Sequence, residues 1–556
     1  MALKDDIYKE ALYSALKNKG EVRPNTLFGV MLKNNPDLKK DIDSLRTIIN
    51  EVCNEINQMN FEKVEEESKR LGIEYEEKES VRKEMIELKV NGDFRTRIPP
   101  EPSKHLHVGH AISFLLNSIY ADKYNGKVVL RFEDTNPQLS KQEYVDSILD
   151  DITNYLQIKP DKITYASDSM QVFYEKAEVM ISKKSAYVCT CDREKMSEYR
   201  NKGLGCECRE IGVDENLSRW KKMLDGLYEQ GEAILRLKGD MKSKNMVMRD
   251  PVLFRLVKES HYRQGNNYIV WPVYDFENSI LDASENITHI LRSNEFGTMR
   301  EELQEHIRNI LDLNQPEVIQ YGRFEVADAN TKGRELREAI AKGLYSGWDD
   351  PRMVTLKALR RKGISHLALM EIAKEVGLSP TPTRIDKKML ATFNRRIIDP
   401  IADRFSFVYD PLRIEITGVA GKSLLPIHPQ MPDRGSRTLH VDEKVLIRSE
   451  DNQDGMVRLA DFANINFENG KITLLSKDLD SFRKVGGKRI INWLPDDPNQ
   501  IMRCSIIMED ASMLEGVVER NIKSKQPGDI VQLERFGFCR IETIDEDEIK
   551  LIFIHK

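Results

Sequence analysis

Long apolar runs are missing from this chain. No stretch approaches the roughly 18 continuous apolar residues that a membrane-spanning helix requires, so no membrane association is expected. The opening MALKDDIYKE has no apolar core of the kind a secretory leader carries, and the cytoplasm is the expected compartment. Cysteine is scarce: seven among 556 residues, four of them clustered, which excludes the evenly spread disulfide framework of a small secreted fold. A large charge of one sign is also absent. The net charge of −6 argues against indiscriminate nucleic-acid binding, although a basic face can exist on a slightly acidic protein. What remains is an ordinary globular composition, 32% charged and 40% hydrophobic, in a chain long enough for several domains.

The most informative stretch runs from Phe94 to Pro137. FRTRI alternates apolar residues as a strand does, and the three prolines of PPEPS impose a stiff, extended loop. After His107-Val108-Gly109-His110, apolar residues at Ile112, Leu115, Leu116 and Ile119 have helical spacing. Gly126 stands where that helix would stop, and KVVLRF reads as a buried strand. The whole is a βαβ unit. Two histidines three apart at a helix N-terminus, where free N–H groups and the positive dipole end gather, suit an anion such as a phosphate. They would donate hydrogen bonds to charge growing in a transition state. The alternative is that each histidine only caps or packs. Gly109, having no side chain, leaves room for a planar group such as a purine.

Before this unit, segments such as DLKKDIDSLRTIINEVCNEINQM have three- and four-residue apolar spacing, which predicts a helical N-terminal extension with no catalytic role. After it, QEYVDSILDDITNYLQI predicts a helix and KITYASD a strand. Cys189 and Cys191 form one C-x-C pair and Cys206 and Cys208 another. Together they offer four soft ligands for a closed structural zinc site, the alternative being four reduced, unliganded thiols. WKKMLDGLYEQGEAILRLKGDM predicts a helix then a strand; in YDFEN, Tyr274 and Asn278 share a face if the segment after Pro272 is helical. THILR ends a buried strand in Arg292, at the carboxyl end where open α/β sheets bind ligands. Asp349 and Asp350, before Pro351, are expected to cap a helix start. From about residue 400 short alternating strands (RIEITGV, EKVLIRS, GKITLLS, IVQLERFGFCRIETI) predict antiparallel barrels.

HVGH resembles the HIGH signature of class I aminoacyl-tRNA synthetases. RIPPEPSKHLHVGHA and LRFEDTNP resemble the longer signatures of its glutamyl/glutaminyl branch, and VYDFENSI, THILRSNEF, GWDDPRM and HPQMPDRGSR continue the likeness in order. The resemblance is to the archaeal/eukaryotic glutamyl type. It implies a multidomain α/β fold: an N-terminal helical extension (1–90), a Rossmann-type catalytic domain in two halves (91–186 and 269–335) and an insertion gripping the tRNA acceptor end (187–268). A helical connector (336–400) and two anticodon-binding β-barrels (401–556) would follow. Only Thr331 and Lys332 of ANTKGR resemble the second class I signature, KMSKS. Gly333 replaces a basic residue common in this branch, and Lys104 stands where the family commonly has glycine; both departures bear on the speed of activation.

The implied reaction joins glutamate to the α-phosphate of ATP, carried with Mg²⁺, and passes the acyl group to tRNA(Glu). It leaves tRNA(Gln) open as a second acceptor. His107, His110 and Lys332 would stabilise the transition state, with Pro99, Gly109 and Thr331 against ATP. Paired arginines suit a buried carboxylate side chain, and the resemblance gives that task to Arg97 and Arg292. Glu133 would hold the α-ammonium, with Tyr274 and Asn278 completing the pocket. Glutaminyl enzymes of the branch resemble LCxxEF where this chain has LRSNEF, so glutamate is expected over glutamine. The Cys cluster falls in an insertion that carries zinc in some relatives, and N-terminal extensions in the family often bind tRNA or a partner protein. Alternatives are a glutaminyl enzyme, or a catalytically weak paralogue that binds tRNA or a partner. Arg437 and other basic residues of the last third are candidates for touching RNA, or else simply solvated.

Overall fold

The computed structural model describes residues 2–17, 22, 24–35, 38, 41–59, 61–73, 85–327 and 329–556. Two compact units divide the chain, Met1–Glu84 and Met85–Lys556. The first contains the helices Ala2–Lys17, Pro24–Asn34, Ile42–Asn57 and Phe61–Arg70. Its third helix buries Leu45, Ile49, Val52, Cys53 and Ile56, the three- and four-residue stripe read from the sequence. The Asp41 carboxylate caps that helix by accepting the Ser44 N–H at 3.2 Å. Residues 74–84, assigned to the extension by the sequence, lie outside the described residues.

In the second unit the βαβ reading holds. Strands Arg95–Ile98 and Lys127–Phe132 pair in parallel, with Arg97 opposite Val129, and Lys162–Tyr165 adds a third parallel strand. A second parallel pair, His289–Ser293 with Glu317–Tyr321, continues from the outer edge of the first strand, where the Thr288 N–H donates to the Arg95 carbonyl at 2.9 Å. The helix Val108–Lys123 buries Val108, Ile112, Leu115, Leu116 and Tyr120 against this sheet. Gly126 does not end that helix in a left-handed turn. Asn125 takes the positive φ of 50°, and Gly126 is needed because a Cβ there would lie 2.4 Å from the Phe94 carbonyl oxygen.

An antiparallel sheet of Ala186–Cys189, Ile234–Leu237, Val252–Leu256 and Val270–Pro272 rests on Trp220, Phe254 and Trp271. It ends at Pro272, four residues past the expected edge of the insertion. The connector holds the helices Gly333–Ala341, Leu356–Lys362, His366–Val376 and Lys387–Ile398. Asp349 and Asp350 are not helix caps. Residues 353–355 run without helix beside the HVGH entry, with the Val108 N–H on the Val354 carbonyl at 3.1 Å and the Leu356 N–H on the Leu106 carbonyl at 2.9 Å. No helix can begin until Leu356, and Thr355 is its cap. Asp350 instead binds Arg352 at 2.7 Å and the Ser346 N–H at 2.9 Å.

The last third is mostly antiparallel, as expected, with parallel pairings of Asp403–Phe405 to Ile530–Leu533, Ile501–Ile507 to Glu548–His555 and Gly455–Leu459 to Arg489–Ile491. Asp403–Phe405 and Phe407–Tyr409, consecutive in the chain, form the two edges of a seven-stranded sheet, which therefore curls into a near-closed barrel. Arg437 neither faces solvent nor offers itself to RNA. It is buried, its Nε donates to both Glu519 carboxylate oxygens at 2.9 Å and its Nη2 reaches Glu534 at 3.4 Å. Among the described residues no helix is long and apolar enough to cross a membrane.

Candidate active site

A cleft of about 990 Å³ opens above the carboxyl ends of the parallel strands, where open α/β sheets bind ligands. The PPEPS loop forms one lip. At its end His107 takes an extended conformation and becomes the N-cap of the helix Val108–Lys123. The Gly109 N–H donates to His107 Nδ1 at 3.1 Å, and the His107 N–H donates to His110 Nδ1 at 3.2 Å. This reciprocal box satisfies two helix-end donors. Each Nδ1 accepts a hydrogen, so each neutral ring carries its proton on Nε2 and has that N–H left to donate. Both histidines are thus caps and cleft donors at once. Burial, with the nearby Lys104 cation, pushes His107 down to about 3 and His110 well below the usual histidine range. Both rings are neutral throughout the physiological range. A Cβ on Gly109 would sit 3.0 Å from the His107 ring, so the glycine also keeps that ring in place.

Deeper in the cleft lies a buried ion network. Arg97 reaches Asp282 at 3.3 Å. Arg131 binds Asp282 at 2.7 Å, Glu285 at 2.8 Å and the Asn278 side-chain amide oxygen Oδ1 at 2.9 Å, and stands 3.5 Å from Glu133. Burial pushes Glu133 up to about 7, against the pull of Arg131 and Arg97. Its Oε1 accepts no hydrogen bond, so the carboxylate retains capacity for a cation. Arg292, at the end of its strand, is buried and donates to the Gln304 amide oxygen at 2.8 Å. Burial lowers its pKa, and burial also raises that of Tyr274. Gln304 in turn donates to Asp275 at 3.1 Å, and Arg300 binds the same carboxylate at 2.5 Å.

Arg97, Pro99, His107, Gly109, His110, Glu133, Tyr274, Arg292, Thr331 and Lys332 all line this one cleft. Asn278 does not line it; it stands one layer back, holding Arg131 and donating to the Tyr274 carbonyl at 3.2 Å. Sequence reasoning missed Arg131 and Asp282. Their only signal was a charge in the middle of an apolar strand, KVVLRF, and an acid on the helix Tyr274–Ser284. Lys332 precedes the helix Gly333–Ala341, and its exposed ammonium binds Glu335 at 2.9 Å.

The four clustered cysteines meet away from the cleft. Their sulfurs lie within 4.8 Å of one another, with Cys189 to Cys206 at 3.8 Å and Cys191 to Cys208 at 3.9 Å. A tetrahedron with Zn–S bonds of about 2.3 Å has edges of about 3.8 Å, so the donor set fits zinc. The contact with Cys189, together with the Tyr187 hydroxyl and the Arg236 guanidinium, outweighs burial and holds the Cys206 thiol below the usual thiol range.

Comparison with known proteins accounts for nearly the whole chain. A profile described as the catalytic domain of class I tRNA synthetases (E and Q) matches residues 93–400, and two anticodon-binding domains of the same group match 402–480 and 490–542. The glutamate–tRNA ligase of Methanothermobacter thermautotrophicus is 35% identical over 545 residues, 97% of each chain. That of Pyrococcus furiosus is 35% identical over 574 residues, 99% of each chain, and that of Methanocaldococcus jannaschii 34% identical over 559 residues, the full length of both.

Proposed function

From the premise that the chain belongs to the class I tRNA synthetases of the glutamate and glutamine branch, we infer how its own residues do the work. It ligates glutamate to tRNA with ATP, and its anticodon-binding domains contact the tRNA. Activation brings a carboxylate oxygen onto the α-phosphorus as the bond to pyrophosphate breaks. No covalent nucleophile is required; the site must align two anions and stabilise charge spreading over the phosphate oxygens. We assign that task to the Nε2–H groups of His107 and His110, the helix N-terminus they cap, and Lys332, which must leave Glu335 to reach a phosphate. Mg²⁺ arriving with the nucleotide would neutralise part of the phosphate charge. Gly109, with no side chain, and the apolar ring of Pro99 would present a flat wall to the base, and Thr331 would close it.

Glutamate is the cognate substrate because two buried arginines, Arg97 and Arg292, face the same cleft as Glu133. This observation carries the reading. We place the side-chain carboxylate between the guanidinium groups, the α-ammonium on Glu133 and the Tyr274 hydroxyl across the pocket. Asn278 positions Arg131 rather than touching the substrate. tRNA(Glu) is the proposed acceptor, the cytoplasm the proposed compartment, and the Cys cluster a structural zinc site that stiffens the acceptor-end insertion. The N-terminal helices would dock tRNA or a partner protein.

Replacing Arg292 tests the pocket. Arg292→Met keeps the stem and removes the charge, and should raise the KM for glutamate about a hundredfold while the KM for ATP stays within about twofold. Unchanged glutamate kinetics would remove Arg292 from the pocket.

A further inference from the structure

Lys104 sits on the cleft lip between the PPEPS prolines and His107, half-buried and lining the cleft. Among the described residues no hydrogen bond or ion pair engages its ammonium. The acids nearest in charge are Glu101 and Glu295, and the nearest like charge is Arg337. Its stem has a definite seat. A Cβ built on Gly333 would lie 3.1 Å from both Cβ and Cδ of Lys104, so the lysine stem would have to give by a few tenths of an ångström. Gly333 is absent from the glycines of positive φ, so close contact with Lys104, not backbone conformation, is what favours glycine there. One turn further on, Arg337 Nη1 donates to the Ser103 carbonyl at 2.9 Å. The lip and the start of the Lys332 helix are therefore clasped at two adjacent points, and Lys104 lines the same cleft as His107 and His110, its charge acting on both rings.

We propose that Lys104 binds the phosphates of ATP from the fixed lip, and that Gly333 lacks a side chain in order to admit it. This rests on the reading of the cleft as the ATP site. Lys332 is then a mobile cation, and Lys104 a pre-positioned one that costs little reorganisation when the nucleotide arrives. A cation tethered beside the histidines on a loop stiffened by three prolines suits a polyanion, and a triphosphate is the polyanion of this reaction.

The test is tRNA-dependent ATP–pyrophosphate exchange by the full-length enzyme. Lys104→Met, which keeps the packing stem, should raise the KM for ATP about tenfold and leave the KM for glutamate within about twofold. Lys104→Arg should retain most ATP affinity. Gly333→Ala should weaken ATP use in the wild-type background and have no effect beside Lys104→Gly, because the methyl then meets no stem. Wild-type ATP kinetics in Lys104→Met, or faster exchange from a lysine that merely crowds the nucleotide, would overturn the proposal alone. An equal cost of Gly333→Ala in both backgrounds would also overturn it. Absence of exchange by the wild-type enzyme with tRNA and glutamate present would instead overturn the reading of the cleft, and this inference with it.

Discussion

On the proposed placement of the α-ammonium, Glu133 is the residue whose protonation the substrate would change. Buried beside Arg131, it is raised to about 7 when no ammonium is bound, and an arriving α-ammonium favours its ionised form. Glutamate should therefore bind with release of a proton, and its KM should rise about tenfold per unit as pH falls below 7. Glu133→Gln should abolish that slope; a slope surviving in the variant would assign it elsewhere. The same group affects folding in a definite direction. A carboxyl whose folded pKa lies above its unfolded value stabilises the fold fully below about 4.5, and that contribution is lost as pH rises through about 7. The depressed histidines act oppositely: their neutral burial stabilises the fold above about 6.5, and this is lost as pH falls below it. That Arg97, Glu133, Tyr274 and Arg292 would meet in one cleft was legible because each is polar near a strand end or helix start. Arg131 and Asp282 were not, since their pairing exists only once the helix Tyr274–Ser284 lies over strand Lys127–Phe132.

Among the elements, the helix Val108–Lys123 carries the most. Its spacing and its histidine-capped start could be read from local sequence, because helix periodicity and caps are local properties. The acids before Pro351 show the limit of that reasoning. A carboxylate pair ahead of proline is a good local helix start, but here the backbone is held extended beside the HVGH entry by long-range hydrogen bonds. The insertion gives a sharper test. If the four sulfurs hold zinc, protein purified in metal-replete medium should contain about one zinc per chain. Cys206→Ser should lower that content and the thermal stability, and impair charging of tRNA. A fully active preparation free of zinc, assayed with Mg²⁺, would refute the zinc assignment.

At the scale of the whole molecule, alternating strands announced a β-rich last third, but not how its parts are joined. Arg437 read as a surface cation because DRGSR is polar and glycine-containing; its burial against Glu519 and Glu534 depends on partners 82 and 97 residues away. It ties the strand Ser436–Val441 to the seven-stranded sheet, joining the segments that match the two anticodon-binding profiles. Arg437→Met leaves Glu519 buried without its cation and should destabilise the protein by about 3–5 kcal/mol in chemical denaturation, with a raised KM for tRNA. Unchanged stability would mean that the strut is dispensable. The central claim concerns which amino acid this assembly attaches, because two buried guanidinium groups lining one cleft match an anionic side chain better than a neutral amide. The most direct test is aminoacylation of total tRNA with labelled glutamate and, separately, labelled glutamine. Charging with glutamate alone is the predicted result; attachment of glutamine, or of neither amino acid, would contradict it.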